Sequence, residues 1–258
     1  MRTIRTVVDT ATKMKQVVDT AGKCDLLKGK ILANVFFEPS TRTRCSFEAA
    51  MKRLGGEVIN VSASGSSSKK GETLQDTMRC LACYTDSIVL RHPMKGSSAL
   101  ASKYLDVPLL NAGDGAGEHP TQALLDLFTI YSELKRYPEG AHVALLGDLK
   151  YGRTVHSLVQ ILAQFSGVRL SYVAPDALQM PEYIEKAVSD VKTSKFYDKF
   201  VPATQAKYSS LDDVIDTVDV LYVTRIQKER FEKPEEYKKY QGSYIISQET
   251  LDKMKKNA

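Results

Sequence analysis

Short apolar runs alternate with helical patterns from one end of this chain to the other, and no other feature restricts the possible folds as strongly. Ile31 to Phe37, Glu57 to Val61, Ser87 to Leu90, Val107 to Leu110, Val143 to Leu146, Leu170 to Val173 and Val218 to Val223 read as strands. A strand–helix repeat of this kind predicts an α/β protein with parallel sheets, because each helical crossover returns the chain to start the next strand in the same direction. Pro120 opens a helix running to about Leu134, and Lys135-Arg136-Tyr137-Pro138-Glu139-Gly140 breaks it before a fresh α/β unit. The expected architecture is two doubly wound parallel-sheet domains, residues 1–136 including the connecting helix and residues 137–258. Ligands of such sheets bind beyond the carboxyl ends of the strands. Polar clusters stand there repeatedly, as Arg91-His92-Pro93 after Leu90, Gly147-Asp148 after Leu146 and Thr224-Arg225 after Val223.

The strongest of these clusters follows the first strand. In Phe36-Phe37-Glu38-Pro39-Ser40-Thr41-Arg42-Thr43-Arg44 an apolar strand ends, turns at a proline and enters a helix whose stripe is Phe47, Ala50, Met51 and Leu54. Ser40 to Thr43 then form the first turn. Its free N–H groups, the positive end of the helix dipole, the hydroxyls and the planar fork of Arg42 all favour a phosphate. An N-capped helix with surface arginines accounts for the same residues.

Bulk properties narrow the function. The chain has 258 residues, 43% of them hydrophobic, enough to bury a substantial core. No apolar stretch approaches the ~18 residues of a membrane span, and Met1-Arg2-Thr3-Ile4-Arg5 leads into an amphipathic pattern, so the expected location is the cytoplasm. Lys+Arg 36 against Asp+Glu 31 gives a net charge of +5, which suits small acidic substrates, and no basic tail or basic-aromatic patch points to nucleic acid. Cys80 and Cys83 form a C-x-x-C on a helical segment without a second pair, and His92, His119, His142 and His156 are dispersed, so no metal is expected. Gly113-Asp114-Gly115 is followed by Gly117, off the spacing of a dinucleotide fingerprint, and no cofactor is expected. Ser62 to Gly71 is too polar and small to pack, and is either an idle loop or a lid carrying Lys69 and Lys70.

Five segments taken together resemble a known family: the Ser40–Arg44 turn, Arg91-His92-Pro93, Gly113-Asp114-Gly115 leading to His119-Pro120-Thr121-Gln122, Gly147 through His156, and Thr224 through Arg230. In this order and over nearly the whole chain they resemble aspartate carbamoyltransferase, the transferase of pyrimidine biosynthesis. Ser-x-Arg-Thr and His-Pro-x-Gln are shared with ornithine carbamoyltransferase, whereas Thr224 to Arg230 and Lys69-Lys70-Gly71-Glu72-Thr73 are similar to the aspartate branch.

The resemblance implies transfer of the carbamoyl group of carbamoyl phosphate to the amine of L-aspartate. It implies that Ser40, Thr41, Arg42 and Thr43 hold the phosphate, with Arg91 bridging its phosphate and carbonyl ends. It implies that His119 and Gln122, three apart at a helix start, serve the carbamoyl group, and that Arg153, Arg225 and Gln227 bind the carboxylates of aspartate. Ser66 and Lys70 would enter the active site of a neighbouring subunit, which implies a homotrimer with shared sites. Family members continue past the helix at Ser247 to Lys256 into a further strand, a His-Pro-x-Pro-Arg loop and terminal helices, so the resemblance implies that this sequence is a portion of a longer polypeptide, with a place in a larger pyrimidine-synthesis assembly as a further expectation. Two competitors are a non-catalytic carbamoyltransferase-like scaffold and ornithine carbamoyltransferase, the latter opposed by Arg225-x-Gln227.

Overall fold

The computed structural model describes residues 2–62, 71–115, 117–191, 200–226, 237–240, 242, 244–256 and 258. The chain divides into two compact units, Arg2–Gln122 and Ala123–Ala258. In the first, helix α1 (Arg2–Ala21) precedes β1 (Ile31–Phe36), α2 (Thr41–Arg53), β2 (Glu57–Ser62), α3 (Leu74–Ala82), β3 (Ser87–His92), α4 (Ser97–Ser102) and β4 (Leu109–Asp114). Helix α5 (Pro120–Leu134) begins in this unit and runs on into the second. There follow β5 (His142–Leu146), α6 (Arg153–Leu162), β6 (Arg169–Val173), α7 (Glu182–Ser189), β7 (Thr204–Tyr208), β8 (Val220–Val223) and α8 (Gln248–Asp252).

Each unit is a four-stranded parallel sheet, ordered β2-β1-β3-β4 in the first and β7-β6-β5-β8 in the second. Strand alternation sends successive side chains to opposite faces. From β1, Ala33 and Val35 pack with Met78 of α3 and Ala101 of α4, while Leu32 and Phe36 pack with Met51 and Phe47 of α2. Both faces are covered, which is why the strand reads as a continuous apolar run. In the second unit Ala144, Leu146 and Val173 pack with Val214, Ile215 and Val218 on one face. Val143 and Leu145 point the other way and are equally buried.

Three local features depart from the expected pattern. Strand β4 starts later than Val107 and extends through Gly113, at φ +116°, to Asp114, which pairs with His92 of β3 across a register shift. Strand β7, Thr-Gln-Ala-Lys-Tyr, lies at a sheet edge with one side largely exposed, so its apolar content is too low to signal a strand. The C-terminal helix is shorter than Ser247 to Lys256, and opens with a reciprocal Ser247–Thr250 capping box. No helix among the described residues is long and apolar enough to cross a membrane.

Candidate active site

The strand orders create a topological switch point in each unit. From β1 the chain goes to β2 on one side and β3 on the other, and from β5 it goes to β6 on one side and finally to β8 on the other. The crevice at the carboxyl edge of such a pair is the default ligand site of a doubly wound sheet. The cationic residues singled out in the sequence stand there in both units: the Ser40–Thr43 turn after β1 beside Arg91 at the end of β3, and Arg153 after β5 beside Arg225 after β8.

In the first unit, Phe37 N–H donates to Arg91 C=O at 2.9 Å, which locks the end of β1 to β3. Ser40 is the N-cap of α2, with φ −162° and ψ 88°, and its side chain makes no capping hydrogen bond. The first intrahelical bond runs from Arg44 N–H to Ser40 C=O at 3.1 Å. Helix geometry therefore leaves the amides of Thr41, Arg42 and Thr43 and the Ser40 hydroxyl for a ligand. Arg42 is exposed at this turn, while Arg44 Nη1 reaches Glu48 at 3.4 Å and Asn60 at 3.5 Å. A cavity of about 400 Å³ opens here, with Glu38, Pro39, Ser40, Thr41, Arg44 and Ser62 in its lining.

Arg91 is only 8% exposed; its Nη1 donates to Ala112 C=O at 3.2 Å and its Nε lies 3.1 Å from the Glu38 carboxylate. A buried guanidinium so held keeps a fixed plane, as bidentate anion recognition requires. His92 accepts the Met94 amide through Nδ1 at 3.0 Å and meets the Phe37 ring edge-on. Burial lowers its pKa, and Glu38 opposes that shift.

His119 is 5% exposed, immediately before α5, with Nδ1 3.4 Å from the Thr121 hydroxyl. Its C=O accepts the Gln122 amide at 3.1 Å, which sets the first turn carrying both residues. The loop delivering His119 is organised by Asp114, whose Oδ1 accepts Glu118 N–H at 2.6 Å and whose Oδ2 accepts Gly96 N–H at 2.8 Å. Gly115 at φ +60° has no room for a side chain, since a Cβ would sit 1.9 Å from the Pro93 C=O. In the sequence Gly113-Asp114-Gly115 speaks against a nucleotide fingerprint and for the family pattern; the signal for its organising role is a carboxylate between two glycines at a strand end.

In the second unit Gly147 takes φ +118°, and a Cβ there would lie 2.2 Å from Thr224 C=O. Thr224 N–H donates to Leu146 C=O at 2.8 Å, so the ends of β5 and β8 are locked side by side. Buried Asp148 accepts Tyr151 N–H at 2.9 Å, and buried His156 bonds Leu149 C=O through Nε2 at 2.7 Å. These contacts shape the turn that presents Arg153 as the first residue of α6. Tyr222 of β8 donates to Asp126 Oδ2 at 2.9 Å, and burial together with that carboxylate raises its pKa. Ser66, Lys70 and Gln227 lie outside the described residues. Among the described residues no cluster of His, Cys, Asp and Glu has the grouping of a metal site.

Comparison with known proteins matches this geometry to one family. Residues 1–132 match the family model of the carbamoyl-phosphate-binding domain of aspartate/ornithine carbamoyltransferases, and residues 139–258 match its Asp/Orn-binding domain. The aspartate carbamoyltransferase catalytic subunit of Methanocaldococcus jannaschii is 53% identical over 249 residues, covering 95% of this chain and 77% of that protein. Multifunctional protein pyr1-3 of Dictyostelium discoideum is 47% identical over 247 residues, 96% of this chain and 11% of that protein. Among solved structures, the catalytic subunit of M. jannaschii aspartate transcarbamoylase superposes with a TM-score of 0.86 at 50% identity, over 98% of this chain and 79% of that one. Aspartate transcarbamoylase from Trypanosoma cruzi in complex with N-(phosphonacetyl)-L-aspartic acid gives 0.85 at 41% identity, over 98% and 78%. With both halves matched in order and half of the aligned residues identical, the chain belongs to the aspartate/ornithine carbamoyltransferase family, alongside the aspartate carbamoyltransferase catalytic subunits.

Proposed function

We propose that this chain transfers the carbamoyl group of carbamoyl phosphate to the amine of L-aspartate, giving N-carbamoyl-L-aspartate and phosphate, an early step in making pyrimidines. The observation that carries the reading is the N-terminus of α2, where Ser40 caps without spending its hydroxyl and helix geometry leaves three amides without intrahelical acceptors, after a strand whose last residue pairs with the buried Arg91. Ser40, Thr41, Arg42 and Thr43 bind the phosphate, and Arg91 spans its bridging side.

The aspartate amine attacks the carbamoyl carbon, a C–N bond forms, the C–O bond to phosphate breaks, and the departing phosphate takes the amine proton. No protein nucleophile is needed. The Thr121 hydroxyl lies 3.4 Å from His119 Nδ1, and in the tautomer where it donates to Nδ1 the imidazole proton is on Nε2, from which His119 donates to the carbonyl oxygen as charge develops on it. A donor so placed is worth about 3 kcal/mol of barrier, and Gln122 helps orient the carbamoyl group. Arg153, Arg225 and Gln227 take the two carboxylates, for which the planar guanidinium fork is suited.

By resemblance the working form is a cytoplasmic homotrimer in which Ser66 and Lys70 of one subunit serve the site of the next. The multifunctional relatives support a place in a larger assembly. Phosphate and ureido-product formation by the purified chain, with carbamoyl phosphate and either aspartate or ornithine, tests the reading. Product with aspartate alone is expected; product with ornithine, or with neither, contradicts it.

A further inference from the structure

Asn34 is an unexpected residue for its position. It lies in the middle of β1, between two strands, fully buried, with Ala33 and Val35 on either side. Asparagine is disfavoured in strand interiors, and burying a carboxamide costs free energy unless its donors are used. By alternation its side chain shares the α2 face with Leu32 and Phe36.

There its Nδ2 donates to Arg44 C=O at 3.1 Å and to Asn60 Oδ1 at 3.0 Å. Asn60 is its register partner on β2, and Asn60 Nδ2 donates onward to Glu48 Oε2 at 3.1 Å. One turn of α2, from Arg44 to Glu48, is thus hydrogen-bonded to two adjacent strands. Arg44 is also the residue whose amide closes the first helical turn onto Ser40 C=O at 3.1 Å. The packing of Phe47 and Met51 against the sheet attracts α2 without direction, whereas a hydrogen bond fixes roll and height.

We infer that Asn34 is a positioning residue that sets the anion-binding turn of α2 on the sheet, so that the Ser40–Thr43 amides and Arg91 converge on one phosphate. The inference rests on the proposed carbamoyl-phosphate site. Asn34 touches no substrate. Its influence passes through the Arg44 carbonyl to the turn, and small displacements at such a site are expensive in affinity.

The test is calorimetric titration of the full chain with inorganic phosphate and with carbamoyl phosphate, together with steady-state kinetics. The variants are Asn34→Leu and Asn34→Ser. Asn34→Leu should weaken both anions by about five- to tenfold, as loss of one to two neutral hydrogen bonds implies, while the KM for aspartate stays the same. Asn34→Ser, a smaller change with one remaining donor, gives the reading if the leucine variant fails to fold, and should fall between it and wild type.

Wild-type affinity for both anions in Asn34→Leu, or a KM for aspartate that rises as much as the anion affinities fall, would overturn the positioning role and leave the site reading standing. A wild-type chain without saturable phosphate binding would overturn the site reading, and this inference with it.

Discussion

Asp114 joins two loops that are distant in sequence: Oδ2 accepts the Gly96 amide at the start of α4 at 2.8 Å, and Oδ1 accepts the Glu118 amide before His119 at 2.6 Å. One buried carboxylate therefore holds the turn after β3 and the loop after β4 in a single arrangement. Asp114→Ala removes two hydrogen bonds between a carboxylate and backbone amides and should cost about 2 kcal/mol of stability. It should also lower kcat more than Asp114→Asn, which keeps one carbonyl acceptor. Urea denaturation and steady-state kinetics of the two variants check this.

Arg42 is exposed and belongs to the proposed phosphate contact rather than to any packed interface. Arg42→Ala should leave the unfolding free energy within about 0.5 kcal/mol of wild type. The KM for carbamoyl phosphate should rise at least about tenfold, the loss of a charge-assisted hydrogen bond. A parallel loss of stability would show Arg42 to be structural.

Lys135 ends α5 with φ +56°, and it is the one non-glycine residue with positive φ among those described. A left-handed conformation costs an L-residue about 1–2 kcal/mol, partly offset by the extra unfolded-state entropy of a glycine. Lys135→Gly should therefore raise stability by about 0.5–1 kcal/mol even though the Lys135 Nζ to Ser132 C=O bond at 2.6 Å is lost. The denaturation midpoint should move up with an unchanged m-value.

His142 is buried at the start of β5, with Nδ1 against Thr217 C=O at 3.2 Å and Nε2 against the Ser171 hydroxyl at 2.7 Å. Desolvation, and then the Arg169 charge, hold its pKa below the ordinary value, and Lys255 adds to the depression while Thr217 and Asp219 oppose it. The unfolded chain thus binds the proton more readily than the folded one, so the stability from neutral His142 is complete above pH of about 6.5 and declines as pH falls toward the folded pKa. His92, lowered by burial, acts in the same direction. Unfolding free energies measured from pH 7.5 down to 5.5 should fall, and should fall less in His142→Gln.

Gly147 and Thr224 bear on the second unit in the same way that Asp114 bears on the first. Gly147→Ala places a methyl 2.2 Å from the Thr224 carbonyl at a φ reserved for glycine. The end of β8 must shift, and Arg225 with it. A rise in the KM for aspartate larger than that for carbamoyl phosphate, in protein that still folds by circular dichroism, is the expected result.

Local signals in the chain were read directly where one residue's chemistry decides one piece of backbone. Pro120 starts α5, Ser40 caps α2, and the apolar runs at Ile31, Ser87 and Val143 are central strands with both faces covered. The signal failed where the environment, not the residue, decides. Thr204–Tyr208 becomes a strand because β6 supplies its pairing partner, and β4 runs on to Asp114 because His92 of β3 supplies a partner across a register shift. Asn34 passed as one more member of an apolar strand, since its partners Arg44 and Asn60 are 10 and 26 residues away.

The alternation of elements, the anion-binding chemistry of the turn after β1 and the family pattern along the chain were determined by the sequence itself, because each depends on neighbours a few residues apart. Tertiary structure alone decided that β1 lies beside β3 and β5 beside β8, which is what makes each cationic cluster a switch-point site. Parallel strands of similar apolar character carry no local mark of their neighbours, and their order is settled only when helices cover both faces of the assembled sheet.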